Sequence, residues 1–413
     1  MERIKYIDGG VCSPKGFEAS GIACGIKGGG REDLALIVSR RLCSAAAVYT
    51  TNKVKGAPLA VTRDHLTDGR ARAIVCNSGN ANTCAPNGRE IAEETCRIAA
   101  GELRVAMKAP EIAAEDMIVC STGVIGQALH IEPFQRGIPE AVQRLAVDGS
   151  DRAARAIMTT DTVTKSAAVE VRLGGKLCTI GGIAKGSGMI DPNMATMLAF
   201  ITTDAAIAPE TLQRVLSEDV RDSFNQICVD GDTSTNDMAV VLANGMAGNQ
   251  PIEEDGPELE TFKKALSAVT VRLAKKLARD GEGATKLIQC TVSGAPDQRL
   301  ARRISKAVIS SNLLKAAMFG EDANWGRVLC AVGYAEGDFS ADNIDVAMES
   351  DRGRIQVCRA SSHWEYSEAE AEKILQAEEI CIQVDLHQGN AAASAWGCDL
   401  TCEYVKINGD YRS

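Results

Sequence analysis

The chain has 413 residues, of which 45% are hydrophobic and 24% charged, with a net charge of −10. These values fit a soluble globular protein of two or three domains with an ample apolar core, and the acidic balance without a long basic run excludes a polyanion such as nucleic acid as partner. The N-terminal stretch has no apolar segment of the secretory kind and no stretch reaches the length of a membrane span, so the expected location is the cytoplasm.

The first third alternates short apolar runs with glycine-rich turns. Residues 34–39 (LALIVS) and 44–51 (SAAAVYTT) predict two buried strands, and 71–85 predicts a strand running into an Asn/Gly-rich loop. A helix is expected over 87–107, where Ile91, Cys96, Ile98 and Ala99 recur at roughly helical spacing. Residues 117–130 read as a strand, a glycine-punctuated turn and the start of a helix. Gly174 and Gly175 mark a hairpin between strands in 157–173 and 176–190. A further buried strand is expected within 194–208.

The composition shifts at 245–257 (GMAGNQPIEEDGP), the best candidate for a domain boundary. Beyond it, Leu259, Phe262, Leu266, Val269, Leu273 and Leu277 fall three or four residues apart and predict one long amphipathic helix, ended by Asp280 and Gly281. Residues 283–295 turn into a strand. The remainder mixes a helix near 301–318, several short strands and a helical stretch at 367–376. The expected fold class is mixed α/β (α+β), sheets with flanking helices. The 15 cysteines include no C-x-x-C pair and sit among apolar neighbours. They read as buried thiols, not as a disulfide framework or a zinc site, and no metal is expected.

The common catalytic motifs are missing: no H-E-x-x-H, no phosphate-binding Gly-rich loop, no G-x-S-x-G elbow. The segment DGDTSTND (230–237) begins like a calcium loop, but it lacks the central glycine and has Val241 at the twelfth position. None of the four histidines sits beside a nucleophile. What remains are polar, Thr-rich loops at strand ends: Thr122–Gly123, Thr159–Thr160–Asp161, Lys185–Gly186–Ser187–Gly188 ahead of Ala195 and Thr196, and Glu282 past the long helix. A Thr hydroxyl needs a base. Without histidine, its own α-amine, freed by cleavage of the preceding peptide bond, can serve, because it titrates near neutrality. Taken singly, plainer readings stand beside these: Thr196 as an ordinary strand residue, Lys185 as a surface lysine, Glu282 as a solvated residue after a helix cap.

In combination, KGSGMIDPNMATMLAFITTDA (185–205) resembles the cleavage-site signature of the ornithine acetyltransferase family, the bifunctional proteins of arginine biosynthesis. The resemblance extends over nearly the whole chain through NSGNAN (77–82), STGVIG (121–126), IMTTDT (157–162), DGDTSTND (230–237), DGEGATK (280–286), NWGR (324–327) and VKINGDYRS (405–413).

It implies an N-terminal-nucleophile-like acyltransferase that cleaves itself between Ala195 and Thr196, giving an α-chain of 1–195 and a β-chain of 196–413, associated as α2β2. It implies acetyl transfer from N-acetylornithine to glutamate through Thr196, with no cofactor and with acetyl-CoA as a possible co-substrate. Thr122 and Gly123 match the oxyanion-hole pair. Thr159, Lys185, Thr196, Glu282, Asn408 and Ser413 match substrate-binding positions.

The chain departs from the family pattern at Ala323 (usually Pro), Gly409 (more often Ala) and Met238 (usually a small hydroxyl residue). Gly409 lies in the same C-terminal motif as Asn408 and Ser413. The competing readings are a self-processing amidase or aminopeptidase of related architecture, which would pass the acyl group to water, and a non-catalytic homologue.

Overall fold

The computed structural model describes residues 4–191 and 197–410. The expected positions Ala195, Thr196 and Ser413 lie outside the described residues. Among those described, the strands are β1 (Lys5–Ile7), β2 (Phe17–Ile22), β3 (Leu34–Tyr49), β4 (Arg70–Asn80), β5 (Met117–Val124), β6 (Lys165–Leu173), β7 (Lys176–Lys185), β8 (Leu198–Thr203), β9 (Ile227–Cys228), β10 (Met238–Ala243), β11 (Leu287–Ala295), β12 (Asp345–Ser350), β13 (Gly353–Arg359), β14 (Ser362–His363), β15 (Glu379–Asp385) and β16 (Ala391–Cys398). The helices are α1 (Ala57–His65), α2 (Gly88–Met107), α3 (Glu132–Gln143), α4 (Ser150–Ala156), α5 (Pro209–Asp219), α6 (Pro257–Arg279), α7 (Gln298–Ser310), α8 (Asn312–Phe319), α9 (Trp325–Gly333), α10 (Glu368–Leu375) and α11 (Cys402–Asp410).

Two mixed sheets carry the fold. The first has the order β1-β6-β7-β8-β10-β3-β4-β5, with β2 also on β3, and the second runs β14-β13-β12-β15-β11-β16-β9. In the first sheet β8 and β10 are parallel, as are β4 and β5, and the other pairs are antiparallel. The apolar content explains why both faces are covered. On β10, Met238, Val240 and Leu242 enter one core cluster while Ala239, Val241 and Ala243 enter another. Such continuous apolar runs belong to strands buried on both sides.

The sheet also folds over itself. Cys120 on β5 touches Met238 on β10 at 3.7 Å, although β3 and β4 lie between them in the sheet order. α2 and α3 cover the outer face of the β2–β5 half, and α5 and α6 cover the β6–β10 half.

The two strands expected at 34–39 and 44–51 form one long strand. Arg40, Arg41 and Leu42 are exposed and interrupt the apolar run, but β4 pairs on both sides of them across a register shift between Val38 and Cys43. A bulge keeps the ladder going where the hydrophobic pattern stops. The helix expected at 301–318 is two helices, divided at Ser311, whose hydroxyl caps α8 by accepting from the Leu314 amide at 3.3 Å. The long helix α6 begins at Pro257, the last residue of the 245–257 segment, packs on β6 and β7 and also touches β16 of the second sheet. All 15 cysteines are free thiols and ten are buried. Among the described residues no helix is long and apolar enough to cross a membrane.

Candidate active site

Six of the expected site residues, Thr122, Gly123, Thr159, Lys185, Glu282 and Asn408, line a single cavity of about 150 Å3. They come from five separate stretches: the end of β5, the loop before β6, the end of β7, the loop after α6 and the C-terminal helix α11. That volume suits a small metabolite, several times the ~30 Å3 of one water.

Thr122 and Gly123 stand at the C-terminal end of β5, where it runs parallel to the end of β4. Gly123 has φ of +129°, and a Cβ there would sit 2.4 Å from the carbonyl carbon of Gly79. Only glycine permits that approach. The wall behind the pair is a polar lattice. Asn236 donates from Nδ2 to the carbonyl oxygens of Ala81 (2.6 Å) and Ser121 (3.0 Å), and its Oδ1 accepts from the Thr83 hydroxyl at 2.6 Å. Asn77 accepts from the Ser121 hydroxyl at 2.6 Å. Asn77 on β4 and Asn236 therefore fix the residue that precedes Thr122.

Lys185 and Glu282 are both buried, at 8% and 9% exposure, so neither is the solvated side chain of the plainer reading. The Lys185 ammonium donates to the hydroxyl oxygens of Thr122 (3.1 Å) and Thr159 (2.9 Å). An ammonium only donates. Both hydroxyls must therefore accept from it, which turns their own hydrogens elsewhere and leaves Lys185 one N–H for a ligand. Glu282 accepts from Asn408 Nδ2 at 2.7 Å, which ties α11 to the cavity. A second tie runs from the Tyr404 hydroxyl to Asp230 at 3.2 Å. Burial, then the Asp230 charge, pushes the Tyr404 phenol up, so it stays a donor. Asp230 also accepts from the amides of Met189 (2.6 Å) and Ile190 (2.8 Å). Its own carboxyl is raised, chiefly by burial.

In the sequence Asp161 stands out only as part of a Thr-rich loop. Burial raises its carboxyl, but the charges of Lys185 and Lys165 and its hydrogen bonds outweigh burial and hold it down at about 2. It is an anion that balances Lys185. Sequence reasoning also missed Asn236 as an individual residue, together with Ser234, Asp237, Met189, Met197 and Leu198 on the cavity wall. Their signal lay in the motifs already quoted, which carry no label separating wall from scaffold. Among the described residues no His/Cys/Asp/Glu cluster could hold a metal ion.

A buried cation and a buried carboxylate facing one cavity, with hydroxyl and backbone donors between them, define an enzyme-type site for a small ligand carrying both charges. The comparisons make this specific. The ArgJ family model matches residues 18–413. The arginine biosynthesis bifunctional protein ArgJ of Symbiobacterium thermophilum is 50% identical over 99% of this chain and 100% of its own, and that of Caldanaerobacter subterraneus is 48% identical over 99% and 100%. A crystal structure of the Bacillus halodurans protein of that name is 46% identical, covers 52% of this chain and 100% of its own, and superposes with a TM-score of 0.50. The chain belongs to the ArgJ family and is an acyltransferase of arginine biosynthesis.

Proposed function

We propose that the cavity transfers the acetyl group of N-acetyl-L-ornithine to L-glutamate through an acetyl ester on Thr196. The observation that carries this reading is that Met197, the residue following Thr196 in the chain, lines the same cavity as Thr122, Lys185 and Glu282. Self-cleavage between Ala195 and Thr196 would give chains 1–195 and 196–413 and free the Thr196 α-amine. That amine takes the proton of the attacking hydroxyl. The Thr122 hydroxyl, turned away from Lys185, and the Gly123 amide donate to the oxyanion of the tetrahedral intermediate. Ornithine leaves with the proton; the amine of glutamate then attacks the acetyl ester, its proton passes through the Thr196 α-amine, and the Thr196 oxygen leaves as the free hydroxyl. Lys185 and Thr159 receive the substrate carboxylate; Glu282, held by Asn408, receives its ammonium group, and the family resemblance adds Ser413 as a further substrate-binding residue.

No cofactor enters this scheme, and an assay of acetyl-CoA with glutamate tests whether acetyl-CoA also serves as donor. The family resemblance supports an α2β2 assembly in the cytoplasm. The test combines products and fragments. Acetylornithine with glutamate is expected to yield ornithine and N-acetylglutamate, and a denaturing gel two fragments, the second beginning Thr-Met-Leu-Ala-Phe. Free acetate as the main product would instead indicate an amidase, and a single uncleaved band would refute the mechanism.

A further inference from the structure

Lys165 is fully buried at the first residue of β6, with two carboxylates on its ammonium: Asp161 at 2.7 Å and Asp280 at 2.5 Å. Asp161 holds the Thr159–Lys185 arm of the cavity, and Asp280, two residues before Glu282, belongs to the other arm and reaches across to the first. Asp161 accepts from the amides of Thr159 (3.0 Å) and of Gly186 (2.6 Å), the residue after Lys185. Asp280 accepts from the Thr162 amide at 3.1 Å, and its backbone carbonyl accepts from the Ser187 hydroxyl at 2.7 Å. The Ser187 carbonyl in turn accepts from the amide of Glu282 at 3.0 Å. One ammonium thus joins the backbone of the Thr159–Lys185 arm to that of the Glu282 arm.

We infer that Lys165 is a positioning residue, which sets the separation of Lys185 and Glu282 and so the fit of an amino acid's carboxylate and ammonium groups. The inference rests on the proposed function, and it adds that in the cleaved protein this clamp crosses from one chain to the other, since Asp161 and Lys165 precede Thr196 and Asp280 follows it. The charge count supports a functional arrangement. Asp161 and Asp280 are balanced by Lys165 and Lys185 together, so the clamp is complete only with the cavity lysine in place. A buried ion cluster is a costly way to gain stability alone.

The decisive variant is Lys165→Met/Asp280→Asn in the full chain. It removes one positive and one negative charge, leaves Asp161 with Lys185, and keeps an acceptor for Thr162. The expected result is unchanged self-cleavage, a melting temperature within a few degrees of wild type, KM for acetylornithine and glutamate raised about tenfold to a hundredfold, as for lost charge-assisted hydrogen bonds, and kcat changed far less. KM within twofold of wild type in a folded, cleaved variant overturns the inference. So does loss of self-cleavage in a folded variant, which would assign the network to the Thr196 segment. If the double variant fails to fold, Asp280→Asn alone is judged by the same KM criterion. Should wild type fail to transfer acetyl groups, calorimetric titration with ornithine separates the two claims. A tenfold affinity loss in the variant supports the clamp, and equal affinity, or no binding by wild type, overturns it.

Discussion

Gly188→Ala isolates the position of one carboxylate. Gly188 is not among the residues with left-handed φ, so alanine meets no backbone strain there. Its Cβ would lie 2.4 Å from Cδ and from both carboxylate oxygens of Glu282. Ordinary contact begins near ~3.5 Å, so the carboxylate must retreat by about 1 Å. The Glu282 amide stays bound to Ser187 at 3.0 Å, which confines the movement to the side chain. The Asn408 bond, 2.7 Å in the native site, then stretches past hydrogen-bonding range. An off-rotamer side chain costs about 1 kcal/mol, so melting shifts little. A misplacement of about 1 Å at a positioning group costs about a hundredfold in rate, or about 2.7 kcal/mol of transition-state stabilisation. The assay is kcat and KM for both substrates beside calorimetric melting. Glu282→Asp should also cost less in the Gly188→Ala background than in wild type, since the shorter side chain avoids the clash. A kcat/KM within threefold of wild type at unchanged melting would refute the reasoning, as would full additivity of the two substitutions.

Thr196→Ala should abolish fragment formation and turnover together; retained turnover would move the nucleophile elsewhere. Thr122→Ala should leave the protein folded and lower kcat by roughly two to three orders of magnitude, and a near-normal kcat would remove it from the oxyanion hole. Asp219 at the end of α5 gives a pH signature away from the cavity. Burial raises its carboxyl to about 6, against hydrogen bonds that include the Ser223 hydroxyl at 3.1 Å. The folded state then keeps its proton to higher pH than the unfolded chain, whose value is near ~3.9. Stability from this group is full below about pH 4 and falls as pH rises through about 6, by roughly 3 kcal/mol. Asp219→Asn should flatten that slope and raise melting at pH 7.5 by a few degrees, and an identical pH slope in both proteins would exclude the assignment.

What the sequence made readable follows from how far each feature reaches along the chain. α6 is local: its apolar stripe repeats every three or four residues and its proline and acidic start are contiguous, so its span was open to periodicity alone. The bulge in β3 is not local, because an exposed Arg-Arg-Leu looks the same whether the chain turns or β4 continues beside it. The same division holds in the site. Thr122, Lys185 and Glu282 could be picked out as chemically able residues beside glycines and strand ends. The burial of Glu282 could not, since α11 reaches it from more than 120 positions away, as the Asn408–Glu282 bond shows. Lys165 was hidden for the same reason: its Asp161 partner lies one helical-looking step back in the chain, but the Asp280 contact spans 115 positions. A lysine that begins a strand reads as an ordinary edge residue until the second carboxylate is known. The part of the site that binds is thus legible as residue types, while the part that aligns it appears only once distant segments close around the same cation.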